Sequence, residues 1–116
     1  MNNFRELNVW VKAVDLATST YKATDHYPKR EVFGLTSQMR RCSVSISSNI
    51  AEGAGRRSKK EFRQFLDITT GSCYELETQL IISRNLDYLS KKECDRLIES
   101  LTEIQKMLYA LIKSLN

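Results

Sequence analysis

Between Gln38 and Gln64 the chain carries seven basic residues, Arg40, Arg41, Arg56, Arg57, Lys59, Lys60 and Arg63, against two acidic ones, Glu52 and Glu61. The whole 116-residue chain has a net charge of +4, so everything outside that segment is slightly acidic and the positive excess is read as gathered around one short turn. Clustered Arg and Lys suit the phosphates of a nucleic-acid backbone. Ser58-Lys59-Lys60-Glu61 has the form of a helix start, and the first amides of a helix also favour an anion. Two lysines there oppose the positive end of the helix dipole, a cost that a bound phosphate would offset. A solvated face accounts for the same residues. Ser90-Lys91-Lys92-Glu93 repeats the helix start without flanking arginines, and Arg56 and Arg57 would suit the C-terminal end of the preceding helix. Both readings stay open at this point.

Other chemistry is sparse. His26 is the only histidine, beside Asp25 and Tyr27, and reads as a solvated helix-end residue. Three cysteines, Cys42, Cys73 and Cys94, are odd in number and widely spaced, which fits reduced, buried thiols better than a disulfide framework. There is no CxxC, HExxH, phosphate-cradling glycine loop or G-x-S-x-G. Gly53-Ala54-Gly55 is too short for a nucleotide loop, and the Glu-x-x-His pairs of bundle metal sites are missing. The expectation is a non-enzymatic protein with no catalytic residue, metal or cofactor.

The elements that must hold the basic turn are four helices. Helix 1 is expected from Leu7 or Asn8 to Asp25, stopped by Tyr27-Pro28. It bears two apolar stripes, Leu7, Trp10, Val14, Ala17, Tyr21 and Val9, Ala13, Leu16, Ala23, together spanning roughly 240°. A lone bundle is expected to leave part of that arc for a second chain. Helix 2 is expected to start at Thr36 as N-cap and to end at Gly53-Ala54-Gly55 through a left-handed glycine cap. Its seam is Leu35, Met39, Cys42, Ile46, Asn49 and Gly53. Helix 3 should run from the Ser58 capping box to about Leu86, with Phe62, Phe65, Thr69, Cys73, Leu76 and Leu80 inward and Gly71 as a site of close backbone approach. Helix 4, opening at Ser90, has the regular stripe Cys94, Leu97, Leu101, Ile104, Leu108, Leu111, Leu115. Short turns make this an all-α, antiparallel up-down-up-down four-helix bundle, one domain over residues 1–116.

Helix 2 is unusual in carrying Ser43, Ser45, Ser47 and Ser48 beside its seam, since serine competes with the backbone in helix interiors. Small side chains let a neighbouring helix approach closely. Ser45, Asn49 and Glu52 are read as structural polar residues: Asn49 would set register and oligomer state through a hydrogen bond, and Glu52 would pair with Arg40, Arg41 or Arg56, or with a residue of a neighbouring subunit.

The runs QMRRCSVSISSNIAEGAGRRS and FLDITTGSCYELE resemble the four-helix bundle proteins encoded in intervening sequences of bacterial 23S rRNA genes. The centre of the match, R-R-x-x-x-S-I-x-x-N-I-x-E-G, falls on Arg40, Arg41, Ser45, Ile46, Asn49, Ile50, Glu52 and Gly53. That family is related to the accessory variability proteins of diversity-generating retroelements. The resemblance implies assembly into ring-shaped homopentamers. From the related retroelement proteins it implies a basic surface that engages RNA or DNA and a partner polymerase, a reverse transcriptase. No apolar run approaches the ~20 residues that span a bilayer, and MNNFRELN lacks the pattern of a signal peptide, so a cytoplasmic protein without a membrane partner is expected. The alternative is a structural bundle that docks another protein through Tyr74, Ile81, Ile82 and Tyr88.

Overall fold

Two serines start two of the four helices in the computed structural model, which describes residues 3–116. Ser58 Oγ accepts the Glu61 amide at 3.1 Å and Ser90 Oγ accepts the Glu93 amide at 3.1 Å. Only half of each capping box forms. The Glu61 carboxylate takes the Ser58 hydroxyl proton rather than a backbone N–H, and Glu93 turns to Arg96. The helices are α1 (Asn8–Thr24), α2 (Leu35–Ala54), α3 (Lys59–Asn85) and α4 (Lys91–Ser114). Short 3-10 turns occupy Phe4–Glu6 and Lys29–Glu31.

Each helix packs on its sequence neighbour, and α4 closes on α1, so the topology is the expected up-down-up-down bundle, 43 × 24 × 20 Å. Cross-helix bonds fix the antiparallel register. Ser45 meets Ser72 at 3.3 Å, Ser83 Oγ reaches Met39 Sδ, and Lys12 pairs with Glu103 at 2.7 Å. The α4 stripe is buried from Cys94 to Leu108, while Leu111 and Leu115 are only partly covered. In α3, Leu66 rather than Phe65 fills the core; Phe65 lies half-buried toward α2.

Several expected boundaries are corrected. Helix 2 starts two residues earlier, with Gly34 as N-cap, and Thr36 is buried inside the first turn. The cap is remote: Glu31 Oε1 accepts the Leu35 amide at 3.1 Å. Gly55 has φ −82°, so no left-handed glycine ends the helix. The left-handed residue is Asp87, φ 63°, just past α3, a conformation that short polar side chains tolerate. Gly53 answers to packing: a methyl group there would lie 2.6 Å from Phe65 Cβ and 3.0 Å from Phe62 Cδ1. Gly71 has nothing within 4 Å of such a methyl, so close approach does not explain it.

The wide apolar arc of α1 is also smaller in effect than its sequence suggests. Val9, Ala13, Leu16 and Ala17 are buried, and Leu7 and Trp10 pack partly against the core. The N-terminal turn covers Trp10, whose ring meets Phe4 edge-on at 5.1 Å. Val11 and Tyr21 remain open, Tyr21 with the Arg40 guanidinium 4.8 Å above its ring. A single chain therefore hides most of the arc and leaves Tyr21 of it open, the 3-10 turn supplying cover that helix periodicity does not reveal.

Candidate nucleic-acid interface

The α2–α3 turn lies at the end of the bundle where α4 finishes. Five cations gather there in different roles. Arg56 is committed: its guanidinium pairs with Glu52 at 2.9 Å and stacks 4.8 Å from the Phe65 ring. Arg63 is committed too, donating to Asn116 Oδ1 at 2.9 Å and to the Leu115 carbonyl at 3.4 Å, which ties α3 to the end of α4. Arg57, Lys59 and Lys60 are exposed and make no ion pair among the described residues. Arg57 and Lys59, with Arg56, line a cleft of about 280 Å³ bounded by Ala54, Ser58, Phe62 and Leu115, and Lys60 follows Lys59 on the helix outside it. The Glu61 amide is taken by Ser58, and the Phe62 amide bonds the Ser58 carbonyl at 3.1 Å. The Lys59 and Lys60 amides are left at the helix start. The arrangement can hold a phosphate between free ammonium groups and unpaired amides.

Arg40 and Arg41 do not join this group. They lie about 24 Å away along α2 at 1.5 Å per residue, at the other end of the bundle. Arg40 binds Thr24 Oγ1 at 2.9 Å and Asp25 at 3.0 Å, tying α2 to α1. Arg41 is exposed.

Sorting charges by position along the bundle shows what the linear sequence concealed. The end formed by residues 21–41 and 84–96 holds nine basic and five acidic residues. The end formed by residues 3–6, 52–63 and 113–116 holds seven and three, and the waist between has two and six. Both ends are net positive and the middle is acidic. The expectation that all the excess sits at one turn is overturned, because the second positive end is assembled from two segments far apart in the chain. Summing charge by helix end, once the topology is granted, would have found it.

Ser45, Asn49 and Glu52 form local structure. Asn49 Nδ2 donates to the Ser45 carbonyl at 2.8 Å and to Ser45 Oγ at 2.9 Å, and Ser45 in turn meets Ser72 of α3. Asn49 thus acts through Ser45 rather than reaching across by itself. Among the three candidates for Glu52, Arg56 is its partner. All three cysteines are unpaired and buried. Burial pushes the Cys42 and Cys73 thiols up to about 12, with the Glu75 charge adding to the effect at Cys42. Burial also raises Cys94. Such thiols stay protonated at neutral pH and make poor nucleophiles.

At the opposite end, Glu31 is the keystone of the α1–α2 connection. Besides capping Leu35 it accepts the Tyr88 hydroxyl at 3.0 Å, and these two bonds hold its carboxyl below the ordinary glutamate range. A depressed carboxyl stabilises the folded connection above its unfolded value, and that contribution disappears as pH falls through the folded value. Protection of the Leu35 amide against hydrogen exchange, corrected for intrinsic rate, is therefore expected to be lost only once pH falls below the ordinary glutamate range. Glu31→Gln should lower that protection already at pH 7 and remove its acid dependence; unaltered protection in the variant would show that the cap contributes nothing.

Among solved structures, the chain resembles a protein of unknown function from the S23 ribosomal protein family of Bacteroides thetaiotaomicron, with 26% identity and a TM-score of 0.81 over 90% of this chain and 98% of that one. No match was found among functionally curated proteins. No helix among the described residues is long and apolar enough to cross a membrane. The family model described as 23S rRNA-intervening sequence protein matches residues 5–110, and the chain belongs to that family.

Proposed function

We propose that this protein is a non-enzymatic, oligomeric, cytoplasmic bundle that binds the backbone of RNA or DNA through the α2–α3 end. The observation that carries the reading is the set of three exposed, unpaired cations, Arg57, Lys59 and Lys60, at the start of a 27-residue helix, the first two of them lining a cleft there. Arg56 lines the cleft while held by Glu52, and Arg63 ties α3 to the end of α4. Assembly into a homopentamer, and a reverse transcriptase or other protein as partner, come from the family resemblance. Exposed Ile68, Tyr74 and Ile82 on α3 give oligomerisation an apolar surface to use.

A phosphate-backbone ligand predicts steep salt dependence. Affinity for a labelled oligonucleotide should fall by roughly tenfold or more between 50 and 200 mM salt, with a log–log slope near −0.9 per phosphate contacted. Light scattering on the size-exclusion peak should give a multiple of 13.4 kDa, near five. A flat salt profile would favour the second reading, an apolar protein dock. Tyr74 at 60% and Ile82 at 43% exposure support that alternative, whereas Ile81 and Tyr88 are half-buried, and Tyr88 is engaged with Glu31.

A further inference from the structure

Phe33 is 93% exposed, the barest large apolar side chain among the described residues, and Val32 beside it is 53% exposed. The backbone that presents them is fastened. Lys29–Glu31 is a 3-10 turn, the Gly34 amide bonds the Glu31 carbonyl at 2.9 Å, and Glu31 caps α2. Phe33 therefore projects from a held loop, where the ring loses little freedom when it is covered. Two of the acidic groups of this end are occupied. Asp25 is paired with Arg40, and Glu31 is bonded to Leu35 and Tyr88. Lys29 and Arg41 are exposed without an ion pair among the described residues, at an end with nine basic and five acidic residues. A cleft of about 370 Å³ lies beside Val32, walled by Tyr27, Pro28, Thr36 and the Arg40 side chain.

We infer that this end is a second nucleic-acid contact, specific for single strands, in which an unpaired base stacks on Phe33 while Lys29 and Arg41 take the flanking phosphates. A bare aromatic ring at an end that carries free cations is what single-strand binders offer, because every base has a π-face and the backbone supplies the charge. A duplex keeps its bases stacked on each other and offers the ring nothing. Charge selects this occupant over an uncharged apolar partner, which would leave Lys29 and Arg41 unused. The proposal shares with the α2–α3 reading only the premise that the protein meets nucleic acid, since the two sites lie at opposite ends.

The test is fluorescence anisotropy with a fluorescein-labelled 12-nucleotide poly-U strand and a 12-base-pair duplex, repeated with pelleting on phosphatidylserine vesicles. Phe33→Ala is expected to weaken single-strand binding about 5- to 100-fold and to leave the duplex unchanged. Lys29→Glu with Arg41→Glu should weaken single-strand binding and lower its salt slope by about 1.4. Because Phe33 is almost wholly solvated, its removal should not disturb folding, and circular dichroism checks this. Unchanged poly-U affinity in Phe33→Ala overturns the proposal, as does absence of poly-U binding by the unaltered protein. Loss of vesicle pelleting with poly-U binding intact overturns it in favour of a lipid surface. If Phe33→Ala is silent while reversal of the α2–α3 cations abolishes binding, this site falls and the other stands; the converse pattern has the converse meaning.

Discussion

Arg57→Glu, Lys59→Glu and Lys60→Glu together are expected to reduce affinity for a nucleic-acid backbone on the order of 100-fold or more at 100 mM salt, and to flatten the salt dependence by about three phosphate contacts. The three are chosen because each is exposed and unpaired, so the replacement disturbs no ion pair of the fold. Arg56 is left in place. Its guanidinium spans Glu52 and the Phe65 ring, and its loss would confuse a binding defect with a packing one. Glutamate at positions 59 and 60 also suits the helix dipole better than lysine, so stability should rise slightly or stay level while binding collapses. That opposition is the useful part. Residues kept for solubility alone would show neither change in binding. Lys106→Glu, placed in the acidic waist, serves as a single charge-reversal control and should cost little. A mobility-shift titration in which the triple variant retains the original affinity and salt slope would remove the α2–α3 end as the site.

Most of the architecture was legible because it depends on short-range signals. The 3-4 spacing from Cys94 to Leu108 and the two Ser-x-x-Glu starts depend only on neighbours in sequence, and the core and helix bounds follow them. Departures occur where a distant residue substitutes for a local one. Thr36 is a good cap by type, yet the Leu35 amide is taken by Glu31, held in turn by Tyr88 from 57 residues away. The arc of α1 implied bare apolar surface, yet Phe4 folds back over Trp10. The basic turn could be read from its run of cations, but the second basic end could not be read from any one window. It exists only once the α1–α2 and α3–α4 connections come together, joined where Arg30 reaches the Tyr88 hydroxyl at 3.3 Å.

The two helix-associated glycines separate these levels most sharply, and they are expected to respond in opposite directions. Gly71→Ala should stabilise the fold by about 1 kcal/mol, the helix-propensity difference, because the added methyl meets nothing within 4 Å. Gly53→Val should destabilise it by about 3 kcal/mol, the upper part of the usual range for overpacking, even though valine has the better helix propensity. Its new Cβ would stand 2.6 Å from Phe65 Cβ, an atom fixed to the α3 backbone, so relief requires α2 and α3 to separate along their closest contact. Trimming the ring does not help: Phe65→Ala keeps the clashing carbon and should fail to rescue Gly53→Val. Urea titrations monitored by circular dichroism can resolve both changes, since total stability of a domain this size is about 5–15 kcal/mol. If valine at 53 were as stable as glycine, the α2–α3 contact could not be as tight as drawn. The Ser45–Ser72 and Cys42 Sγ–Ser72 carbonyl approaches, at 3.3 and 3.1 Å along the same seam, would then have to open with it.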